Sequence, residues 1–98
     1  MDKGLLKVGG LIATKTNPAV EVGLEFFHNL SVGITYQDIV YEIGEFTGSR
    51  GSGWVRPYYE VDDVFIVMNF TLDNEGKFNY LVSMEVYDTE DLLYHIEL

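Results

Sequence analysis

Two long runs of period-two hydrophobicity, separated by a turn signal, constrain this chain more than any other feature. Residues 64–72, VFIVMNFTL, put Val64, Ile66, Met68, Phe70 and Leu72 on one side of an extended backbone. Residues 77–87 do the same with Phe78, Tyr80, Val82, Met84 and Val86. Successive strand side chains point to opposite faces, so each run predicts a strand with one apolar face. DNEG at 73–76 supplies the turn between them. Residues 54–60, WVRPYYE, read as a preceding strand. Pro57 cannot donate to a ladder, which places that strand at an edge or puts a bulge in it. After a second turn at DTED, 88–91, Leu92, Tyr94, Ile96 and Leu98 alternate with Leu93, His95 and Glu97. That tail suits a last strand, with a helix capped by Asp88 as the alternative.

Such apolar strand faces need a cover, and the period before residue 44 is closer to 3.6. Thr35 and Asp38 have the spacing of a capping box, in which a hydroxyl and a carboxylate reciprocally bind the first free backbone N–H groups. Ile34 and Ile39 occupy the staple positions around it. Tyr36, Ile39, Val40 and Ile43 share one helical face, and Gly44 suits the left-handed residue that ends a helix. These signals predict a helix over 36–43. TNPAV at 16–20 reads as a helix start, with Thr16 or Asn17 as cap and Pro18 in the first turn. It predicts a helix over about 18–29, although Val22, Leu24 and Phe26 also suit a strand. Residues 1–15 read as an arm or short strand, interrupted by Gly9 and Gly10. The expected fold is therefore a single α+β domain over 1–98. Two N-terminal helices pack on one face of a three- to four-stranded antiparallel sheet, and 16–98 form the helix–helix–sheet module.

The glycine-dense stretch FTGSRGSGW, 46–54, raises the question of phosphate binding. Gly48 to Gly53 fit the first six places of a phosphate loop, but Trp54 and Val55 stand where the lysine and hydroxyl belong. The predicted order is also helix to strand, so no helix N-terminus is offered to an anion. The stretch reads as a surface-exposed joint between helix and sheet.

No catalytic, cofactor-binding or metal-binding residues are expected. With no cysteine there is no thiolate nucleophile, disulfide or thiolate metal site. His28 and His95 have no metal-ligand spacing and read as surface residues. The acidic pairs Asp62-Asp63, Asp73 with Glu75, and Glu90-Asp91 each fall at a turn and read as solvated. Sixteen acidic against six basic residues give a net charge of −10, which repels nucleic-acid phosphates. No apolar run is long enough for a transmembrane helix, and the start of the chain is a poor signal peptide. A cytoplasmic location is the default expectation, or an exported one if a leader has been removed.

The order of signals resembles the small helix–helix–sheet module of SmpA/OmlA (BamE-like) lipoproteins and of β-lactamase-inhibitor-like proteins. The matching residues are Val32-Gly33-Ile34-Thr35, the helix from Tyr36 to Ile43, Gly44, Gly51-Ser52-Gly53, and Tyr58 to Asp63. Val64 departs from that pattern, where a turn glycine is expected, and the lipobox cysteine is absent. The resemblance implies a non-catalytic module that binds a protein partner. Aromatic residues point the same way, because Trp and Tyr give large contact area with one polar end. The expected contact surface is the outer sheet face with the Gly48–Gly53 loop. Trp54, Arg56 and Tyr58 form an exposed trio there, with Arg50 beside them. Tyr80 is assigned to the core. Two rival readings remain: an acidic inhibitor or nucleic-acid mimic that decoys a basic protein, and a small-molecule or lipid carrier with a pocket between helices and sheet. A homodimer through an exposed terminal strand is a further expectation.

Overall fold

A computed structural model describes residues 6–50 and 56–98. Among these, seven strands form one antiparallel sheet whose spatial order is the order of the sequence. The strands are β1 (Leu6–Val8), β2 (Leu11–Lys15), β3 (Gly48–Arg50), β4 (Arg56–Val61), β5 (Val64–Leu72), β6 (Phe78–Tyr87) and β7 (Leu92–Glu97). The helices are short: α1 (Leu24–His28) and α2 (Tyr36–Ile43), both between β2 and β3. The expected α+β arrangement is therefore overturned. The chain is a curled, predominantly β half-barrel, and the helix–helix–sheet layout implied by the BamE-like resemblance does not fit it.

Three local features account for the difference. First, Gly9 and Gly10 are the turn of a β1–β2 hairpin, both at positive φ (60° and 81°), where glycine has no steric penalty. The N-terminal segment is thus two strands of the sheet. Second, residues 16–23 do not form a helix. Their polar groups bind along the sheet instead: the Thr16 and Asn17 N–H groups donate to the Thr47 carbonyl (2.8 and 2.9 Å), and the Val20 N–H donates to the Glu60 carbonyl (3.0 Å). Val20, Val22 and Leu24 pack into the core at extended spacing. Third, Gly48–Arg50 is strand β3, not an exposed loop, with Gly48 and Arg50 buried. A Cβ on Gly48 would lie 1.8 Å from the Thr14 carbonyl oxygen, so only glycine lets β2 and β3 approach this closely. The other half of the glycine stretch lies outside the described residues. Pro57 sits in an interior strand, not at an edge. It is opposite Ser49 near the start of β4, and pairing with β5 begins one residue later, at Tyr58.

Other sequence features hold. The Thr35 hydroxyl accepts from the Asp38 N–H (3.2 Å) and the Asp38 carboxylate accepts from the Thr35 N–H (3.1 Å), closing the capping box at the start of α2. Gly44 ends that helix at φ 90°. The tail is strand β7, not a helix.

The sheet has a buried cluster on each face. The helix-covered face centres on Phe27, Ile39, Tyr59, Ile66, Met68, Met84 and Val86. At its margin Tyr36 stacks on Phe46 (centroids 5.0 Å), which meets Phe78 edge-on (5.8 Å). The concave face buries Val8, Ala13, Tyr58, Phe65, Val67 and Tyr87. It is closed by the curl of the sheet, which brings the β1–β2 turn onto the β6–β7 turn. There the Gly9 N–H donates to the Asp88 carbonyl and the Gly10 N–H to the Thr89 carbonyl, both at 2.8 Å.

Irregularities in β6 redistribute its side chains. Asn69 pairs with Ser83 and Phe70 with Leu81, so Val82 is an extra residue and the alternation changes phase. Leu81 is buried, whereas Tyr80 and Val82 are 50% and 48% exposed. The assignment of Tyr80 to the core is corrected accordingly. Beyond the bulge, the Leu81 N–H donates to the Ile34 carbonyl (3.0 Å), fixing the entry to α2 on β6.

Candidate functional site

The sequence candidates Arg50, Arg56 and Tyr58 do come together, but inside the curl. Arg50 and Arg56 are cross-strand partners in the β3–β4 ladder, and Tyr58 follows Arg56 on the same face. Tyr58 is fully buried, and its hydroxyl donates to the Thr14 carbonyl (2.9 Å). Burial, followed by the nearby Glu60 charge, pushes its pKa up to about 12. Tyr58 is therefore a structural residue of the concave face and not part of an exposed trio. Trp54 lies outside the described residues.

Arg56 pairs with one carboxylate, and the charge of Arg50 acts on the same group from over Tyr87. Arg56 Nη2 donates to Glu85 Oε1 (3.0 Å) and also to the Asn69 side-chain oxygen. Asn69 in turn donates to the Ser83 hydroxyl (3.0 Å). The Tyr87 hydroxyl donates to the same Glu85 oxygen (2.7 Å), and the Arg50 guanidinium lies over the Tyr87 ring, 4.2 Å from its centroid. Burial pushes the Glu85 carboxyl up, but the Tyr87 hydroxyl and the charges of Arg56 and Arg50 outweigh it, so the net direction is down. Tyr87 moves up, through burial and its bond to Glu85, against the opposing pull of Arg50. The cluster therefore holds two guanidinium groups, one carboxylate and a neutral phenol. It is a local excess of one positive charge in a chain of net charge −10. Arg50 is only 8% exposed, and its buried Nε has no hydrogen-bond partner among the described residues.

A cavity of about 280 Å³ opens beside Arg56. Arg56 and Asn69 form its polar wall, and Pro57, Met68, Phe70, Leu72 and Phe78 its apolar one. A second, more open cleft of about 490 Å³ runs between residues 17–22 and the end of α2, with Glu21, Glu42 and Glu45 along it. No group of side chains among the described residues is arranged to hold a metal ion.

The seam between hairpin turns is the other distinctive surface. Asp88 organises the β6–β7 turn, its carboxylate accepting from the N–H groups of Glu90 (2.8 Å) and Asp91 (2.7 Å). Those bonds lower its pKa, the Asp91 contribution being the larger. Leu11 and Ile12 follow one turn, and Leu92 and Leu93 follow the other. Leu93 is an extra residue at the β6–β7 irregularity, where Val86 pairs with Tyr94 and Tyr87 with Leu92. The surface histidines are engaged locally, His28 with the Tyr94 hydroxyl (2.8 Å) and His95 with Glu97 (3.0 Å).

Sequence reasoning missed both the inward direction of the arginines and the seam. The double glycine between Val8 and Leu11 was the available signal, since Gly-Gly between apolar residues is a hairpin turn. No protein family, no curated protein and no solved structure matches this chain. No helix among the described residues is long and apolar enough to cross a membrane.

Proposed function

We propose that this chain is a non-catalytic module that binds a protein partner through the seam of its two hairpin turns. One observation carries the reading. Leu11, Ile12, Leu92 and Leu93 are between 47% and 64% exposed, and they directly follow two turns that are hydrogen-bonded to each other. Isolated exposed apolar residues are ordinary on any protein. Four of them beside two mutually fixed turns give an apolar margin to the seam whose ordering cost is already met by the fold, which favours association. Asp88, Glu90 and Asp91 supply an acidic rim beside it, suited to a partner with basic residues around an apolar centre.

The test compares affinity capture from the native host by the wild-type chain and by a Leu11→Asn/Leu93→Asn variant. Wild type is expected to retain a discrete protein, and the variant to bind it at least about tenfold more weakly with an unchanged melting temperature. Equal capture by both chains contradicts the seam. Loss only with added salt, irrespective of the leucines, would favour the acidic-decoy reading instead.

A further inference from the structure

We infer that the cavity beside Arg56 binds a small amphipathic carboxylate, with its anionic end on Arg56 and its apolar body against Phe70 and Phe78. This inference does not rest on the seam, which uses other residues.

Arg50 and Arg56 face a single ionised carboxylate, Glu85, on a largely buried surface. A buried charge without a full complement of partners is costly. One added anion would balance the cluster. Stacking on Tyr87 compensates Arg50 only in part, and its Nε remains without an acceptor among the described residues.

The Arg56 bonds to Glu85 and Asn69 both leave from Nη2. A guanidinium has five N–H groups in a fixed fork. The Nη1 and Nε N–H groups of Arg56 have no acceptor among the described residues, and its side chain is 30% exposed. An incoming carboxylate can accept a single charge-assisted hydrogen bond from Nη1 or Nε without displacing Glu85. The charge of Arg50, which also acts on Glu85, offsets part of the repulsion between the two carboxylates.

The walls then select the body of the ligand. Phe70, Phe78, Met68 and Pro57 offer no charge to pair with further anionic oxygens. A bare phosphate would leave most of this wall unused and would exceed the single excess charge. At about 280 Å³ the cavity is at the small end of ligand sites. One ring or a short alkyl chain, bearing one carboxylate, matches both the space and the charge.

The experiment is a two-dimensional NMR titration of the full chain with 3-phenylpropionate, its neutral amide, acetate and inorganic phosphate. The acid is expected to shift the Arg56 Nε–H and the Gly76 and Phe78 amides saturably. The neutral amide, acetate and phosphate are each expected to bind at least about tenfold more weakly, the loss of one charge-assisted hydrogen bond or of the apolar contact. Arg56→Gln should weaken the acid by a similar factor, whereas Leu93→Asn should leave it unchanged. Equal binding of acid and amide, tighter binding of phosphate, or no saturable shift in the wild-type chain would overturn the inference.

Discussion

On the helix-covered face, the residues that seal the sheet come from outside it: Phe27 of α1 and Ile39 of α2, both fully buried against Tyr59, Ile66 and Met84. On the concave face the sheet seals itself, because the β1–β2 turn hydrogen-bonds to the β6–β7 turn and Gly9 lies against the Tyr87 ring. A face covered by separate elements buries a continuous apolar cluster. A face covered by the curl of its own strands keeps an open side, and charged groups remain there with partial hydration. That is where Arg50, Arg56 and Glu85 are found. The contrast explains why the buried charge cluster of this small domain lies on one side of the sheet.

The largest expected effect isolates the helix-covered face. Phe27→Ala removes a fully buried ring and should cost about 3–5 kcal/mol in denaturant unfolding. In the fraction that remains folded, the Arg56 Nε–H resonance should stay at its wild-type position. Movement of that resonance would show that the two faces are not independent.

Gly48→Ala probes the concave side and should cost about 3 kcal/mol by the same measurement, through the clash of its Cβ with the Thr14 carbonyl and the Tyr58 hydroxyl. A near-neutral result would mean that β2 and β3 are not paired as described.

Legibility in the sequence divides along the same line. Strands β5 and β7, helix α2 and its capping box were readable because local rules agreed there. Thr35, Asp38 and Gly44 each act within a few residues. The helix expected from residue 18 failed because Thr16, Asn17 and Val20 bind backbone groups 30 or more residues away, at Thr47 and Glu60. That tertiary pairing overrode a local start signal. The phase change at Val82 was invisible because an extra strand residue leaves the composition of the run unchanged. Arg50 and Arg56 were identified as candidates, but their inward direction depends on the β3–β4 register and on the curl of the whole sheet.

A smaller effect is expected at the helix cap. Thr35→Ala should cost roughly 1 kcal/mol, since it removes the hydroxyl that accepts from Asp38 N–H. The effect belongs to the helix-covered face, and denaturant unfolding reads it directly.

Alkaline pH should affect both faces together. Tyr58 on the concave face and Tyr36 at the start of α2 are each pushed up to about 12, in both cases mainly by burial. A raised folded-state pKa contributes stability that is present below the unfolded value of 10.0 and is lost as pH rises towards 12. Unfolding curves should therefore shift to lower denaturant across that window. Tyr58→Phe should reduce the slope, at the expense of its hydrogen bond to Thr14 at neutral pH. A slope unchanged by the substitution would place Tyr58 in a more open setting.

The closure of the sheet on itself underlies the concave face, its charge cluster and the seam alike. Amide hydrogen exchange at Gly9 and Gly10 tests it most directly, because their N–H groups reach only across the seam, to Asp88 and Thr89. Both amides should be protected well above the rate of a free hairpin turn, with nuclear Overhauser contacts from Gly9 to the Tyr87 ring. Exchange at the rate of an exposed turn, with no contact to Tyr87, would contradict the closed sheet.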